Sequence, residues 1–183
     1  MKSYLITDPS YYHDIKSFEL YLQKVLIEKK PDFACFRDKK NEEISSYAEI
    51  FLKYCDKAKV SKTLISGRLD MAKKLNFYGI HLNSLQTNLI TKAKRSGLYT
   101  VISTHMSDEA LQAKRSGADA VTISPIFETP HKGDPKGIEY LKEFNETLGM
   151  RVFALGGIVT KEHISAVKSS GVYGFASIRY FLE

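Results

Sequence analysis

A parallel α/β fold closed into a trimmed (β/α)8 (TIM) barrel is the fold class the sequence predicts. Two observations carry it. Eight short apolar runs recur along the chain, and seven amphipathic stretches of helical period lie between them. Strand–helix alternation builds a parallel sheet, and eight repeats of the unit close it; a flavodoxin-like open sheet is the alternative. At 183 residues the chain is short beside the ~250 usual for such barrels. The eighth helix, over 177–182, is therefore expected to shrink to a turn.

The elements follow in order. Residues 3–7 open the chain as a strand, and 17–29 form the first amphipathic helix. In the second strand, 33–37, alternation puts Phe33, Cys35 and Arg37 on one face. The helix over 42–58 has Asn41 as a candidate N-cap. A strand at 63–65 leads to a helix at 68–75, and a strand at 79–82 to a helix at 87–96. Gly97 follows that helix, where a positive φ ends it. The strand at 99–103 precedes a helix at 107–116, started by Ser107 and ended by Gly117. The strand at 120–123 and the helix at 138–148 flank a long loop. The last units pair strand 151–154 with helix 160–169, capped by Thr160 and ended by Gly171, and then give strand 174–176. No linker or low-complexity segment divides residues 1–183, which are expected to form one domain.

A hydrophobic content of 43% with 26% charged residues describes a soluble globular chain. No apolar run is long enough to span a membrane and the N-terminus has no signal-peptide core. Cys35 and Cys55 lack metal or disulfide spacing and fit a reducing, cytoplasmic setting. The net charge is +6. Its basic pairs, such as Lys73-Lys74 and Lys114-Arg115, sit near helix ends, where cations complement the helix dipole. No basic run is interleaved with aromatics, so nucleic acid is not an expected partner. A surplus of cations suits a small anionic substrate.

The chemistry is expected where the barrel's strands end. The loop Ser124-Pro-Ile-Phe-Glu-Thr-Pro-His-Lys-Gly-Asp-Pro-Lys-Gly137 follows the sixth strand. Its prolines reduce the entropy lost on ordering, and Thr129, His131 and Lys132 can offer hydrogen bonds and positive charge to an anion. The plain alternative is a turn-rich connection, although its length is unusual for a compact domain. Gly156 and Gly157 end the seventh strand, and Ser177 and Arg179 follow the eighth. Barrels often seat phosphate between those two loops. Arg37 and Lys39 at the second strand would add anion selectivity across the mouth, and Ser103 could donate to a phosphate. Among the histidines, His131 is the first candidate for proton transfer and His105, at the end of strand five, the second. His81 is read as a satisfied core histidine, and His13 and His163 as surface residues.

Several stretches together resemble one family over nearly the whole chain. They are Tyr4-Leu-Ile-Thr-Asp8, Phe36-Arg-Asp-Lys39, Gly67-Arg-Leu-Asp-Met-Ala72, Gly79-Ile-His-Leu82 and Ser103-Thr-His105. The series continues with Gly117-Ala-Asp119, Ser124-Pro-Ile-Phe-Glu-Thr129 and Ala154-Leu-Gly-Gly-Ile158. The chain resembles the thiamine-phosphate synthase and thiazole tautomerase (TenI-like) superfamily. That resemblance implies a (β/α)8 barrel acting on a phosphorylated thiazole. The synthase branch joins the thiazole to a pyrimidine pyrophosphate and expels pyrophosphate. Two aspartates hold its magnesium, one in an Asn-Asp-Arg segment and one ending Gly-Gln-Glu-Asp. Here the segments read Ser66-Gly67-Arg68 and Asn83-Ser84-Leu85-Gln86, and Cys35 replaces the usual strand-two glutamine. Magnesium wants hard, usually anionic oxygen ligands. The tautomerase branch needs no metal, but its histidine at the end of strand six falls on Pro125 here.

The leading expectation is thus a metal-independent thiazole tautomerase-type isomerase without a cofactor. Gly156, Gly157, Ser177 and Arg179 would hold phosphate, Arg37, Lys39, Ser103, Thr129 and Lys132 would hold the rest, and His131 or His105 would move the proton. The alternatives are a divergent, magnesium-using thiamine-phosphate synthase, with Asp70 or Asp38 in new roles, and a non-catalytic sensor of thiamine phosphate or the thiazole. A homo-oligomer is compatible with each.

Overall fold

The computed structural model describes residues 1–39 and 43–183. Eight strands form the barrel: β1 (Lys2–Ile6), β2 (Phe33–Phe36), β3 (Lys62–Ser66), β4 (Gly79–Leu82), β5 (Tyr99–Thr104), β6 (Ala120–Ile123), β7 (Arg151–Leu155) and β8 (Gly174–Ser177). They hydrogen-bond in sequence order and close on themselves. Every neighbouring pair is parallel, and β1 completes the circle against β8 with Tyr4 opposite Ala176. Seven helices lie between strands: α1 (Ile15–Leu22), α2 (Ile44–Lys57), α3 (Leu69–Lys74), α4 (Ile90–Arg95), α5 (Ser107–Arg115), α6 (Gly137–Leu148) and α7 (Lys161–Ser169).

Strand alternation divides the apolar residues into two cores. Inward positions (Tyr4, Phe33, Cys35, Leu64, Val101 and Phe153) fill the barrel with interlocking rings. Outward positions such as Leu5, Ala34, Phe36, Ile65 and Val121 pack beneath the helices. Each large side chain fully buried this way contributes about 1.5–3 kcal/mol. Gly79 and Gly174 leave room inside. A Cβ at Gly79 would come within 2.2 Å of the Tyr99 carbonyl oxygen, and one at Gly174 within 2.6 Å of the Phe153 ring.

β3, β5, β7 and β8 run a residue past the apolar runs, because the ladder also takes in residues such as Lys62, Ser66 and Ser177, whereas β1 and β2 stop a residue short of expectation, at Ile6 and Phe36, which leaves Arg37 just beyond the strand. Two expected helix starts and one cap are corrected. The first helix begins at Ile15, because Asp14 accepts from the Ser17 N–H at 2.7 Å while Ser17 bonds back as its box partner. Its expected C-terminal half, Gln23–Glu28, is π-helical. Met106, not Ser107, is the N-cap of α5, and Glu109 reaches back to the His105 N–H at 2.6 Å. The stretch before α4 is a 3-10 turn over Ser84–Leu89, held by Asn83 and Gln86. Thr160 caps α7 as expected, accepting from the His163 N–H at 3.2 Å. Asn41 and the expected helix start at Glu42 lie outside the described residues. The chain ends in a single 3-10 turn over Arg179–Phe181 where the eighth helix would be. Among the described residues no helix is long and apolar enough to cross a membrane.

Candidate functional site

A cavity of about 440 Å³ opens at the end of the barrel where the strands finish. Its wall brings together Arg37 and Lys39 after β2, Ser103 and His105 at β5, Thr129 and Lys132 from the loop after β6, Gly156 and Gly157 after β7, and Ser177 and Arg179 after β8. Among the described residues the ring of cations faces one lining carboxylate, Asp8. Asp8 pairs with Arg37 at 3.2 Å. Lys39, Lys132 and Arg179 have no carboxylate partner among the described residues.

The loop after β6 is braced at both ends. The Lys136 N–H donates to the Pro125 carbonyl at 2.9 Å and the Gly137 N–H to the Ile126 carbonyl at 3.1 Å, which closes the loop on itself. The N–H groups of Ile126 and Phe127 donate to the carbonyls of Leu155 and Gly156, which ties it to the end of β7. Its Ser124–Pro125 peptide is cis. Phe127 stacks on His163 of α7 with ring centres 4.3 Å apart, so His163 is a half-buried support for the loop and not a plain surface residue.

This packing gives the two glycines a second reason to be glycine. Both have positive φ, +95° and +69°. A Cβ at Gly156 would fall 2.8 Å from Pro125 Cα, and one at Gly157 2.6 Å from the Glu128 carbonyl oxygen. The missing side chains make room for the loop, in addition to leaving main chain on the cavity wall. The Gly157 N–H donates to no acceptor among the described residues.

Three of the site expectations need correction. His131 sits at φ +62° in an exposed turn and is not among the cavity-lining residues, so it is not placed to touch a ligand there. Ser177 is buried, donates to the Ile158 carbonyl at 2.7 Å and accepts from the Tyr180 N–H at 3.2 Å. Its hydroxyl proton is therefore committed to holding the β8 turn. Thr129 donates to the Phe127 carbonyl at 2.9 Å, which leaves it only lone pairs for a ligand. His105 does reach the cavity wall, with Nδ1 3.0 Å from the Ser124 carbonyl oxygen. A carbonyl can only accept, so Nδ1 carries the proton and Nε2 is the basic nitrogen.

His81 on β4 is the satisfied core histidine expected, yet it also borders the cavity. Its Nδ1 is 2.9 Å from the Tyr4 hydroxyl and its Nε2 is 3.0 Å from Ser103 Oγ. Burial, with the nearby Arg37 cation adding to it, pushes its pKa down to about 4, and the ring is neutral near pH 7. Sequence reasoning missed this link and missed Asp8. The signal was available in strand parity, because Tyr4, His81 and Ser103 all fall on inward-facing positions.

The two positions where a magnesium-binding relative carries aspartates touch one another. Gly67, at φ +67°, offers no side chain. The Gln86 amide donates to the Gly67 carbonyl at 3.2 Å and accepts from the Asn83 N–H at 3.2 Å. A neutral amide with both ends engaged does not fit magnesium there. Asp38 accepts from the Tyr12 hydroxyl at 2.9 Å, and Asp70 is exposed on α3, away from the cavity wall. Among the described residues no group of three or more His, Cys, Asp or Glu side chains could hold a metal ion.

Fold and site together define a (β/α)8 barrel with a cationic cavity at the mouth where its strands end. The chain belongs to the thiamine monophosphate synthase family, whose model matches residues 3–181. It is 34% identical to an Aquifex aeolicus protein named "Putative thiamine-phosphate synthase 2", over 98% of this chain and 97% of that protein. It is 33% identical to the thiamine-phosphate synthase of Syntrophomonas wolfei, over 63% of this chain and 57% of that enzyme. The thiamine phosphate pyrophosphorylase of Pyrococcus furiosus superposes with a TM-score of 0.80 at 25% identity, covering 97% of this chain and 85% of the other. These relatives fall on the synthase side of the resemblance and favour the transferase alternative over the tautomerase that led the sequence reading.

Proposed function

We propose that the cavity binds a phosphorylated thiazole and that the protein acts as a divergent thiamine-phosphate synthase, joining the thiazole to a pyrimidine pyrophosphate. The single observation that carries this reading is the cluster of Arg37, Lys39, Lys132 and Arg179 around Asp8, at the mouth of a barrel of this family. The thiazole phosphate would sit against the main chain of Gly156 and Gly157, with Arg179 beside it. Backbone N–H groups and a guanidinium form charge-assisted bonds to phosphate. Arg37, Lys39 and Lys132 would take the growing negative charge as pyrophosphate leaves with its bonding electron pair. Ser103 would add a hydroxyl. No step is assigned to magnesium.

The test mixes purified protein with thiazole phosphate and pyrimidine pyrophosphate, in magnesium and in chelator, and follows thiamine phosphate and pyrophosphate. Both products should form, and Lys132→Ala should slow their formation about tenfold, the loss expected for one charge-assisted bond. No product under either condition would overturn the transferase reading. The closed Gly67–Gln86 corner favours a second reading, tautomerisation of a thiazole phosphate carboxylate without metal. In that case the same protein would isomerise the carboxylate in chelator and make no pyrophosphate. His105 Nε2 would then be the proton acceptor.

A further inference from the structure

We propose that His81 is a positioning residue that sets the direction of a buried hydrogen-bond chain, Tyr4–His81–Ser103, so that the Ser103 hydroxyl proton points into the cavity. The inference rests on the reading of the cavity as an anion site. It goes further by assigning the tautomer and the donor sense of the groups behind the anion.

Three observations carry it. First, the chain is continuous and buried: Tyr4 OH to His81 Nδ1 is 2.9 Å and His81 Nε2 to Ser103 Oγ is 3.0 Å. Tyr4 is fully buried and His81 is 6% exposed. Second, of the three hydroxyls expected at the site only Ser103 has a proton that no carbonyl claims, its one side-chain partner being the His81 ring nitrogen, which can accept or donate. Thr129 and Ser177 give theirs to the carbonyls of Phe127 and Ile158. Third, a neutral imidazole has one donor and one acceptor nitrogen, so the chain can run in only two senses. In one, Ser103 donates to Nε2 and its proton is lost to the cavity. In the other, Tyr4 donates to Nδ1, the Nε2 proton goes to Ser103 Oγ, and the Ser103 proton is free.

An anion can only accept. Its presence therefore selects the second sense, with His81 as the Nε2–H tautomer. The Tyr4 hydroxyl also meets the Cys35 thiol, but sulfur is the weaker acceptor, so the phenol proton goes to Nδ1 and anchors that sense. His81 in this arrangement does not meet the ligand. It fills one lone pair of Ser103 Oγ from behind and so keeps the hydroxyl proton turned toward the bound anion.

The experiment uses the full chain with ¹⁵N-labelled histidine and inorganic pyrophosphate as the probe. Long-range ¹⁵N–¹H spectra should place His81 in the Nε2–H tautomer in the pyrophosphate complex. Ser103→Ala should weaken pyrophosphate binding about tenfold. His81→Phe, which keeps an aromatic of similar bulk, should weaken it comparably, and the double variant should lose no more than either single one. A merely structural histidine would give losses that add, and a dominant Nδ1–H tautomer in the complex would also overturn the inference while leaving the anion site standing. If His81→Phe does not fold, the tautomer in the wild-type complex and the Ser103→Ala affinity decide. Failure of the wild-type protein to bind pyrophosphate would overturn the anion-site reading and this inference with it.

Discussion

His81 and the Gly67–Gln86 pair give two predictions that depend on single side chains. Burial and the Arg37 cation lower the His81 pKa to about 4 in the folded protein, against about 6.5 for a free histidine. Between those values the unfolded chain binds the extra proton, so stability rises with pH through that window and is lost as pH falls. The full difference is about 3 kcal/mol for a shift of this size. Urea midpoints of wild type and His81→Phe, compared at pH 7.5 and pH 4.5, should show a steeper acid loss in wild type. Equal slopes would mean the imidazole is solvated or charged in the fold. The second prediction restores the acidic pair. Gln86 occupies the space a side chain at Gly67 would enter, 3.0 Å from a built Cβ. Gly67→Asp with Gln86→Asp clears that contact and supplies two anionic oxygens, while the left-handed backbone at position 67 costs about 1–2 kcal/mol. Millimolar magnesium should raise the thermal midpoint of the double variant and leave wild type unmoved. A wild-type response would show that magnesium enters by ligands other than these.

Elements divide into those that the sequence announces and those that tertiary contacts reshape. All eight strands were legible because their apolar runs are short, separated and bounded by helices. Thr160 was legible as a cap because its side chain acts locally, on the His163 N–H. The π-helical end of the first helical segment and the 3-10 turn before α4 were not legible. Both depend on hydrogen bonds that helical periodicity does not encode. The loop after β6 was legible as a rigid segment, but not its internal bonding, so His131 was placed in the site while its backbone in fact carries it outward. Ser177 and Thr129 do line the cavity, but their hydroxyl protons go to main-chain carbonyls, and a sequence does not say where a proton is already spent. Two substitutions separate local from loop effects. Thr160→Ala removes one cap and should cost about 1 kcal/mol, roughly 2–4 °C in thermal midpoint for a chain of this size. Gly157→Ala should cost more than Thr160→Ala, because its Cβ would meet Glu128 and Phe127 while the backbone stays at positive φ. If calorimetry ranks the two the other way, the loop does not press on the end of β7 as described.

For the barrel as a whole, the interior rings and the mouth have opposite requirements. The inner core excludes water with Tyr4, Phe33 and Phe153, and above it the rim gathers cationic side chains. Arg37 already has Asp8, so among the described residues the unpaired charge belongs to Lys39, Lys132 and Arg179. Like charges converging on one cavity repel, and an anion that joins them stabilises only the closed barrel, since the unfolded chain cannot gather residues from β2, β6 and β8. Binding to the folded state alone raises stability by about 2.7 kcal/mol at a hundred times the dissociation constant. With the size scaling above, saturating pyrophosphate should raise the thermal midpoint by about 5–10 °C. Because the three cations are exposed or nearly so, the gain should shrink as salt rises and the Debye length falls from ~10 Å at 0.1 M to ~3 Å at 1 M. Sulfate at equal ionic strength separates a specific seat from general screening. A charge-dense pyrophosphate held by Lys39, Lys132 and Arg179 should outperform it several-fold in the concentration needed for half the shift. The triple variant Lys39→Ala, Lys132→Ala, Arg179→Ala should lose the shift and start from an equal or higher midpoint, because its rim no longer repels itself. A lower starting midpoint in that variant would show that these side chains hold the barrel together, and the view of the mouth as stability given up for binding would fail.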